Sequence, residues 1–193
     1  MCGRYVITEE MFAEYERIVR DFDPLLYRFL PRDIYPSALA PVIRAEGDHL
    51  AGRNMIFGFS GFEKGKMLIN ARSETVLEKI TFKDAVKKRR CVMPAASFYE
   101  WDRQKQKAVF RRAKGELIWL AGFYRPEEDG DHFVILTRAA NASMAPIHDR
   151  MPLILDQKDI EPWIREDALL NAYLSSEGKE LAYQIDSEQL SLF

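Results

Sequence analysis

The sequence predicts an α+β fold with a mostly antiparallel, barrel-like β core and peripheral helices. Two observations lead to this fold class: short strand-like apolar segments outnumber helical ones, and few strand–helix–strand alternations occur along the chain. The length of 193 residues and a hydrophobic content of 47% fit one domain with a sizeable core. We therefore expect a single domain over 1–193, in which the tail after about residue 178 is weakly determined.

The first half of the chain predicts one helix followed by two long strands. Thr8 is the expected N-cap of the helix, because two glutamates follow it and a helix N-terminus favours negative charge. Segments 39–44 and 50–57 are predicted strands, joined by a turn at 46–48. The apolar face of the helix repeats at helical spacing and consists of Met11, Phe12, Tyr15, Ile18, Val19 and Phe22. The segment between helix and strands is irregular because it contains Pro24, Pro31 and Pro36.

The second half predicts further strands, a helix in the middle and a helical segment near the end. Thr81 with Asp84 resembles a capping box, which predicts a helix that runs through residue 90. Segment 160–174 is a predicted helical segment, and a turn-rich stretch occupies 125–130. The loop before the helix is marked by Gly58, Gly61 and Gly65. The predicted strands are 91–93, 108–112, 117–123 and 133–137.

Charge and composition exclude several classes of protein. The formal net charge is −2, so a phosphate-binding surface would have to be a local patch. Cys2 and Cys91 are the only cysteines, which gives no disulfide framework and favours a reducing cytoplasm. No apolar run approaches the ~20 residues that span a bilayer, and the acidic start is unlike a secretory signal. We expect a cytoplasmic protein without a membrane partner.

The second residue of the chain is a cysteine, in the order Cys2-Gly3-Arg4-Tyr5. Loss of Met1 would leave Cys2 with a free α-amine beside its thiol. Such an amine titrates near ~8 and a free thiol near ~8.5, so both are partly available as nucleophiles at neutral pH. With an aldehyde, the amine gives an imine, and the thiol closes on the imine carbon to a five-membered thiazolidine. The alternative is a cysteine in a frayed terminus, without a function.

A polar stretch follows an apolar one at Ile69-Asn70-Ala71-Arg72-Ser73-Glu74-Thr75. Asn70 offers both hydrogen-bond donors and an acceptor, and the planar fork of Arg72 suits phosphate. The same residues also fit a loop and helix cap with solvated charges. The stretch by itself leaves both interpretations open.

A single carboxylate, Glu100, lies among the aromatic residues Phe98, Tyr99 and Trp101. Large apolar neighbours disfavour the charged form of a carboxyl, so its pKa tends to rise toward values that suit acid–base catalysis. An ordinary strand with Glu100 facing water is the alternative.

His148 is one of three histidines and has Asp149 and Arg150 directly after it. Histidine suits proton transfer near neutral pH, although a lone histidine is usually structural. Cys2, Cys91 and His148 lack the close ligand pairs of a zinc site, so no metal is expected.

Four motifs together resemble the SOS-response-associated peptidase (SRAP) family, whose members crosslink to abasic sites in single-stranded DNA. The resemblance spans nearly the whole chain and rests on segments 2–5, 70–75, 90–101 and 148–152. It implies the family's fold, a catalytic set of Cys2, Asn70, Glu100 and His148, and a thiazolidine crosslink between Cys2 and the ring-opened sugar after Met1 is lost. It also implies an autoprocessing peptidase activity and lyase-like chemistry in a DNA-damage response.

The resemblance also suggests DNA contacts and partners. We expect phosphate contacts from three arginines near the motifs, and base stacking from two aromatic residues: Arg4, Arg72, Arg150, Trp101 and Phe57. The expected partner is abasic single-stranded DNA, with a protein that is monomeric, needs no cofactor and joins the nucleoid when bound to DNA. A cysteine peptidase with Cys2 as its nucleophile and a non-catalytic DNA binder are the alternatives.

Two stretches depart from the family pattern. Asp33-Ile34-Tyr35-Pro36-Ser37 stands where members usually carry a stretch like Asn-Ile-Ala-Pro-Thr. Phe57-Gly58 stands where they carry Trp-Gly, which keeps a stacking face but loses the indole donor. These departures leave the preferred DNA junction undetermined.

Overall fold

A computed structural model describes residues 2–23, 32–61, 63, 65–112 and 115–185, and these form strands in much larger number than helices. In chain order the strands are β1 (Tyr5–Ile7), β2 (Asp21–Phe22), β3 (Arg32–Ile34), β4 (Leu39–Glu46), β5 (His49–Phe57), β6 (Phe59–Ser60), β7 (Met67–Leu68), β8 (Asn70–Arg72), β9 (Arg90–Ala95), β10 (Ser97–Trp101), β11 (Lys107–Arg111), β12 (Ile118–Glu127), β13 (Gly130–Ala139), β14 (Arg150–Pro152), β15 (Ile154–Leu155) and β16 (Ala182–Ile185). The helices are α1 (Phe12–Ile18), α2 (Ile80–Lys88), α3 (Ile160–Arg165) and α4 (Leu170–Leu174).

Five strands close into a barrel in the order β13, β12, β9, β4 and β5. Four of the five neighbouring pairs are antiparallel, and the closing pair, β13 with β5, is parallel. Closure leaves these strands without an open edge. This arrangement confirms the predicted mostly antiparallel, barrel-like core.

The barrel interior depends on a close approach between neighbouring strands at Gly122. A Cβ built there would lie 2.3 Å from the Val134 carbonyl oxygen and 2.7 Å from the Met93 methyl carbon. Only glycine lets the backbone pass at this distance. Nearby, the rings of Phe57 and Phe133 stack with centroids 5.1 Å apart, across the parallel pair that closes the barrel.

A second sheet of five strands, in the order β16-β11-β10-β1-β3, lies beside the barrel. Its register aligns Tyr5 with Phe98 and with Ile34, and all three side chains are fully buried. Because side chains alternate along a strand, Glu100 lies on the same buried face of β10 as Phe98, whereas Tyr99 and Trp101 face outward. The alternation of this strand therefore decides which side of the sheet carries the carboxylate.

Both predicted helix starts are wrong. Helix α1 begins after Met11 and α2 after Lys79, and neither cap makes a side-chain hydrogen bond. Thr8 precedes the helix by several residues, and Thr81 lies inside α2, so the capping-box pattern is not used. Lys79 holds the extended cap position, so α2 begins two residues earlier than a capping box with Thr81 as N-cap indicates. Helix α2 also ends at Lys88, because Arg90 already pairs in β9.

Other predicted elements exist with different bounds. The turn-rich stretch at 125–130 is mostly a hairpin, since pairing of β12 with β13 continues to Glu127 and Gly130. Segment 160–174 is broken into α3 and α4 by a 3₁₀ turn. The loop after Gly58 contains the short β6–β7 pair, and the tail contains β16, which pairs with β11. Pro24 and Pro31 lie outside the described residues. No helix in the described ranges has the length and apolar composition that a bilayer crossing requires.

A candidate active site between the two sheets

Cys2 is buried at the start of the chain, with 1% of its surface exposed. The backbone N–H of Tyr99 donates to the Arg4 carbonyl at 2.9 Å, so the residues after Cys2 run antiparallel to β10. Burial, followed by the nearby charge of Glu100, raises the pKa of the Cys2 thiol. The cysteine is therefore held in its protonated form and needs a base before its sulfur can attack.

Asn70 approaches Cys2 from the barrel side. It lies on β8, which pairs in parallel with β13, and its side-chain amide donates to the Cys2 carbonyl at 3.5 Å. Its own Oδ1 is buried and has no hydrogen-bond partner among the described groups. A buried acceptor of this kind is costly unless a ligand or water donates to it. Asn70 thus offers an acceptor site next to the cysteine.

Glu100 is 3% exposed and connects the cysteine to the histidine electrostatically. Burial raises the pKa of its carboxyl, while the charge of His148 opposes part of the rise. A raised pKa of Glu100 is also the expectation from the sequence. In the structure, the rise results from the position of Glu100 on the buried face of the sheet, because Tyr99 and Trp101 face outward. A carboxyl with a raised pKa can donate and accept protons near neutral pH.

The ring of His148 is oriented by its own turn. The backbone N–H of Arg150 donates to Nδ1 at 2.9 Å, which places the proton of the neutral imidazole on Nε2. The carboxylate of Asp149 lies 3.0 Å from the same nitrogen and can accept from Nδ1 once the ring is protonated. Both charge states of His148 therefore have a partner at Nδ1.

The side chain of Arg150 is held by hydrogen bonds and an ion pair within the protein. Its guanidinium donates to both carboxylate oxygens of Glu74, at 2.7 and 2.8 Å, and to the Thr137 carbonyl at 2.9 Å. The Arg150 hydrogen bond lowers the pKa of Glu74 to about 2. Glu74 belongs to the polar stretch that includes Asn70, so the pair ties the asparagine segment to the histidine segment. The sequence alone predicts no role for Glu74, although this residue stands in the matched motif.

Arg4 is also engaged within the protein. Its guanidinium forms an ion pair with Asp33 and lies between the rings of Tyr35 and Tyr99, at 4.7 and 4.6 Å from their centroids. The hydroxyls of both tyrosines donate to Asp33 as well, at 3.2 and 3.4 Å. Asp33 stands where family members usually carry asparagine, so the ion pair between Arg4 and Asp33 results from this difference.

Phe57 cannot serve as the predicted base-stacking residue. Its ring is fully buried, stacks on Phe133 and has the Tyr5 ring against it at 6.0 Å. No face of the ring is open to a base. The reason is that closure of the barrel places the end of β5 inside, next to β13.

Two surface cavities open on the site residues. One, of about 390 Å³, is lined by Asn70, exposed Arg72 and Phe82 among others. The other, of about 570 Å³, is lined by His148 and Trp101, which is 36% exposed. Arg72 and Trp101 therefore lie on accessible surface beside catalytic candidates. In contrast, Arg150 is paired with Glu74, and Phe57 is fully buried.

Clusters that could hold a metal ion lie elsewhere in the described part of the chain. They are Asp21 with Glu46 and His49, and Glu127 with Asp129 and His132. In the first, the Arg53 guanidinium pairs with both carboxylates. In the second, the imidazole contacts the Gly58 carbonyl and Asp129, and Glu127 accepts from the Ser60 N–H. Protein donors therefore already occupy the carboxylates of both clusters, and neither cluster includes a predicted catalytic residue.

Comparison with known proteins agrees with the motifs. Residues 1–191 match the family described as SOS response associated peptidase (SRAP). Abasic site processing protein YoqW of Bacillus subtilis is 32% identical over 197 residues, which cover 91% of this chain and 85% of that protein. Abasic site processing protein YedK of Escherichia coli is 28% identical over 183 residues, covering 86% and 81%. A crystal structure of a Bacteroides thetaiotaomicron protein has the same fold, with a TM-score of 0.81 at 18% identity over 97% and 93% of the two chains. The chain therefore belongs to the SOS response associated peptidase (SRAP) family.

Proposed function

We propose that this protein processes abasic sites by binding single-stranded DNA and forming a thiazolidine crosslink between Cys2 and the opened sugar. The proposal requires loss of Met1, because an acylated nitrogen cannot form an imine. The observation that carries it is the burial of Cys2 and of Glu100 together with the Asn70 side-chain amide, which lies 3.5 Å from the Cys2 carbonyl oxygen. The names of the relatives, which are abasic site processing proteins, support the substrate class.

Ring opening of the sugar is the first step. An abasic deoxyribose is mostly a closed hemiacetal, so the aldehyde has to be released. Protonated His148 donates its Nε2 proton to the ring oxygen, and the Glu100 carboxylate takes the proton of the C1′ hydroxyl. The C1′–ring oxygen bond breaks, which leaves an aldehyde at C1′, a neutral imidazole and a protonated carboxyl.

Imine formation uses the proton now on Glu100. The neutral Cys2 amine adds to C1′, and a proton moves from nitrogen to oxygen to give the carbinolamine. Protonated Glu100 donates to the departing hydroxyl, which leaves as water and produces an iminium ion and a carboxylate. The raised pKa of Glu100 favours this donor role. A positioned acid–base group of this kind contributes about 10²–10⁴-fold to a rate.

Ring closure uses the same carboxylate as a base. The Cys2 sulfur bonds to C1′ while its proton passes to Glu100, which gives a neutral thiazolidine and a protonated carboxyl. The final proton transfer to His148 restores the starting charges. The raised pKa of the thiol makes this base necessary, because little thiolate forms without it.

Substrate holding is assigned to Asn70, Arg72 and Trp101. The unpartnered Asn70 Oδ1 accepts from the Cys2 amine or from a sugar hydroxyl. Arg72 contacts a backbone phosphate, and Trp101 stacks on a base at roughly 1–3 kcal/mol. Arg4 can contribute to phosphate binding only where a phosphate displaces Asp33.

A peptidase with Cys2 as nucleophile is the second candidate, since autoprocessing is implied by the family resemblance. The Asn70 amide near a carbonyl is the arrangement that favours it, because such donors stabilise an oxyanion. The raised thiol pKa opposes it, because thiol peptidases use a cysteine with a lowered pKa.

The test mixes mature protein, verified by intact mass, with abasic and intact oligonucleotides. A heat-stable adduct with abasic DNA alone, absent in Cys2→Ala, is the expected result. Peptide cleavage without an adduct would favour the peptidase. Salt-sensitive retention of both oligonucleotides without a covalent product would indicate a non-catalytic DNA-binding protein.

A further inference from the structure

Tyr5 carries a buried hydroxyl that the proposed chemistry does not use. The residue lies three positions after Cys2 on β1, and its side chain is fully buried. Its hydroxyl has no hydrogen-bond partner among the described groups. A buried polar atom without a partner destabilises the folded state, and phenylalanine would fill the same space without one. Packing alone therefore does not explain the hydroxyl.

The pairing of β1 places Tyr5 on the same side of the second sheet as Glu100. Tyr5 is aligned with Phe98 on β10, and Glu100 is two residues further along the same buried face. Because the pair is antiparallel, this direction along β10 leads toward Cys2. Diagonal neighbours in such a pair lie within reach of aromatic and long side chains. The Tyr5 ring therefore extends into the interior between the two sheets, on the face that carries the catalytic carboxyl candidate.

The barrel holds the Tyr5 ring in one orientation. Phe57 packs edge-on against it with centroids 6.0 Å apart, and Phe57 is itself stacked on Phe133 at 5.1 Å. All three rings are fully buried. A ring with these neighbours does not turn its hydroxyl toward solvent. The partner of the hydroxyl therefore has to come from the protein interior or from a bound substrate.

The ionisable groups that act on the hydroxyl indicate which partner this is. Burial is the main cause of its raised pKa, and the groups that follow in the described part of the chain are Cys2, Arg32 and Cys91. A guanidinium such as that of Arg32 has no lone pair and accepts no hydrogen bond. The Cys91 thiol donates to the Met93 sulfur at 3.9 Å, and burial raises its pKa, so it stays a protonated, weak acceptor. Cys2 differs, because its sulfur loses a proton in the proposed reaction.

We infer that the Tyr5 hydroxyl donates a hydrogen bond to the Cys2 sulfur while the sulfur closes onto the imine carbon. A sulfur lone pair forms the bond to C1′, the electrons of the iminium double bond move to nitrogen, and the thiol proton passes to Glu100. The tyrosine proton stays on oxygen throughout. The inference rests on the proposed function and deepens it, and it concerns ring closure, not imine formation.

The strength of this hydrogen bond changes along the reaction. A protonated thiol is a weak acceptor, which agrees with the lack of a partner for the Tyr5 hydroxyl in the resting protein. As the proton leaves, negative charge grows on the Cys2 sulfur, and a hydrogen bond to a charged acceptor is stronger. In the closed ring the sulfur is a neutral thioether and again a weak acceptor. The interaction therefore favours the transition state of closure over the states on either side of it.

Tyr5→Phe tests the inference, because it removes the hydroxyl and keeps the ring. Reduction with borohydride traps the open imine with its thiol free, and alkylation of that thiol distinguishes this adduct from the closed ring by intact mass. We expect unchanged imine formation and about ten-fold slower closure, since one hydrogen bond to a developing charge is lost. Thermal melts should show a variant at least as stable as the wild type, because it buries one polar atom fewer.

The pH dependence of closure is a second measurement on the same variant. Without the hydroxyl, negative charge on the Cys2 sulfur is less stabilised, so the pKa of the thiol rises further and closure accelerates only at higher pH. The other groups that act on Cys2 or on the hydroxyl are Arg32 on β3, Cys91 on β9 and Glu100 on β10, and all of them remain in the variant. A displaced pH profile therefore reports the missing hydroxyl.

Tyr15→Phe is the matched control, because that hydroxyl is also buried but donates to the Val42 carbonyl at 3.4 Å. It should close at the wild-type rate. Closure of Tyr5→Phe at the wild-type rate, or slower closure with the wild-type pH profile, would overturn the inference. So would equal slowing of both steps in a less stable variant, which would indicate a packing role. A wild-type protein that forms no adduct with abasic DNA would instead overturn the proposed function on which the inference rests.

Discussion

Glu74 and Arg150 form a two-pronged ion pair across 76 positions of sequence, with N–O distances of 2.7 and 2.8 Å. The arginine follows His148 by two residues, and the glutamate follows Asn70 by four. A backbone hydrogen bond adds to this contact, since the Ala139 N–H donates to the Glu74 carboxylate at 3.2 Å. Two segments that carry catalytic candidates are therefore joined by one contact.

Glu74→Gln is expected to slow crosslinking several-fold, because the His148 turn loses its anchor while every catalytic candidate remains. Folded Glu74 has a pKa of about 2, below its ordinary value near 4.5. Its stabilising contribution is therefore present above about pH 4.5 and is lost as pH falls toward 2. Thermal melts of the variant between pH 2 and 5 should show a flatter pH dependence than those of the wild type. The exposed Glu78→Gln is the control, and equal acid sensitivity of Glu74→Gln and wild type would contradict the prediction.

Glu100→Gln is expected to reduce the crosslinking rate by about 10²–10⁴-fold, because the three proton transfers assigned to this carboxyl lose their carrier. Burial raises the pKa of Glu100, so its ionisation opposes folding as pH rises through the folded value. The glutamine variant should therefore be more stable than the wild type at neutral pH. Quenched-flow gels and thermal melts measure the two effects. A slow variant that is also less stable would indicate a structural role instead.

Asp33→Asn is expected to strengthen binding to single-stranded DNA about five-fold at low salt, because Arg4 is released from its carboxylate. One additional phosphate contact should make the slope of log K against log[salt] steeper by about 0.7. Fluorescence anisotropy over a salt series measures this change, with the exposed Glu128→Gln as a control for loss of a surface charge. An unchanged slope would show that Arg4 stays between its tyrosines when DNA binds.

Trp101→Ala and Phe57→Leu are expected to separate DNA binding from stability. The first removes an exposed stacking surface and should weaken binding by roughly 1–3 kcal/mol with little effect on folding. The second opens space in the barrel and should lower the free energy of unfolding by about 1–2 kcal/mol while DNA affinity stays the same. Anisotropy titrations and denaturant melts on both variants provide the comparison. A loss of DNA affinity in Phe57→Leu at full stability would restore its predicted stacking role.

The four catalytic candidates were identifiable from the sequence only through the family resemblance of four motifs, because each residue alone also fits a structural role. A cysteine beside a removable methionine, an amide, a lone carboxyl and an imidazole indicate which chemistry a site could use, but not that a site exists. Strand periodicity likewise sufficed for the fold class, since alternating burial is a local property. Helix starts were less predictable, because Lys79 and Met11 occupy cap positions without any capping side chain.

Tertiary structure alone decided which charged and aromatic groups face the site. Closure of the barrel buried Phe57, and pairing across long sequence separations assigned Arg150 to Glu74 and Arg4 to Asp33. A side chain's chemistry is set by its covalent structure, but its charge state, exposure and partners depend on residues far away in the chain. The sequence therefore determined which functional groups are available to the proposed reaction, and the fold determined which of the neighbouring cations remain exposed.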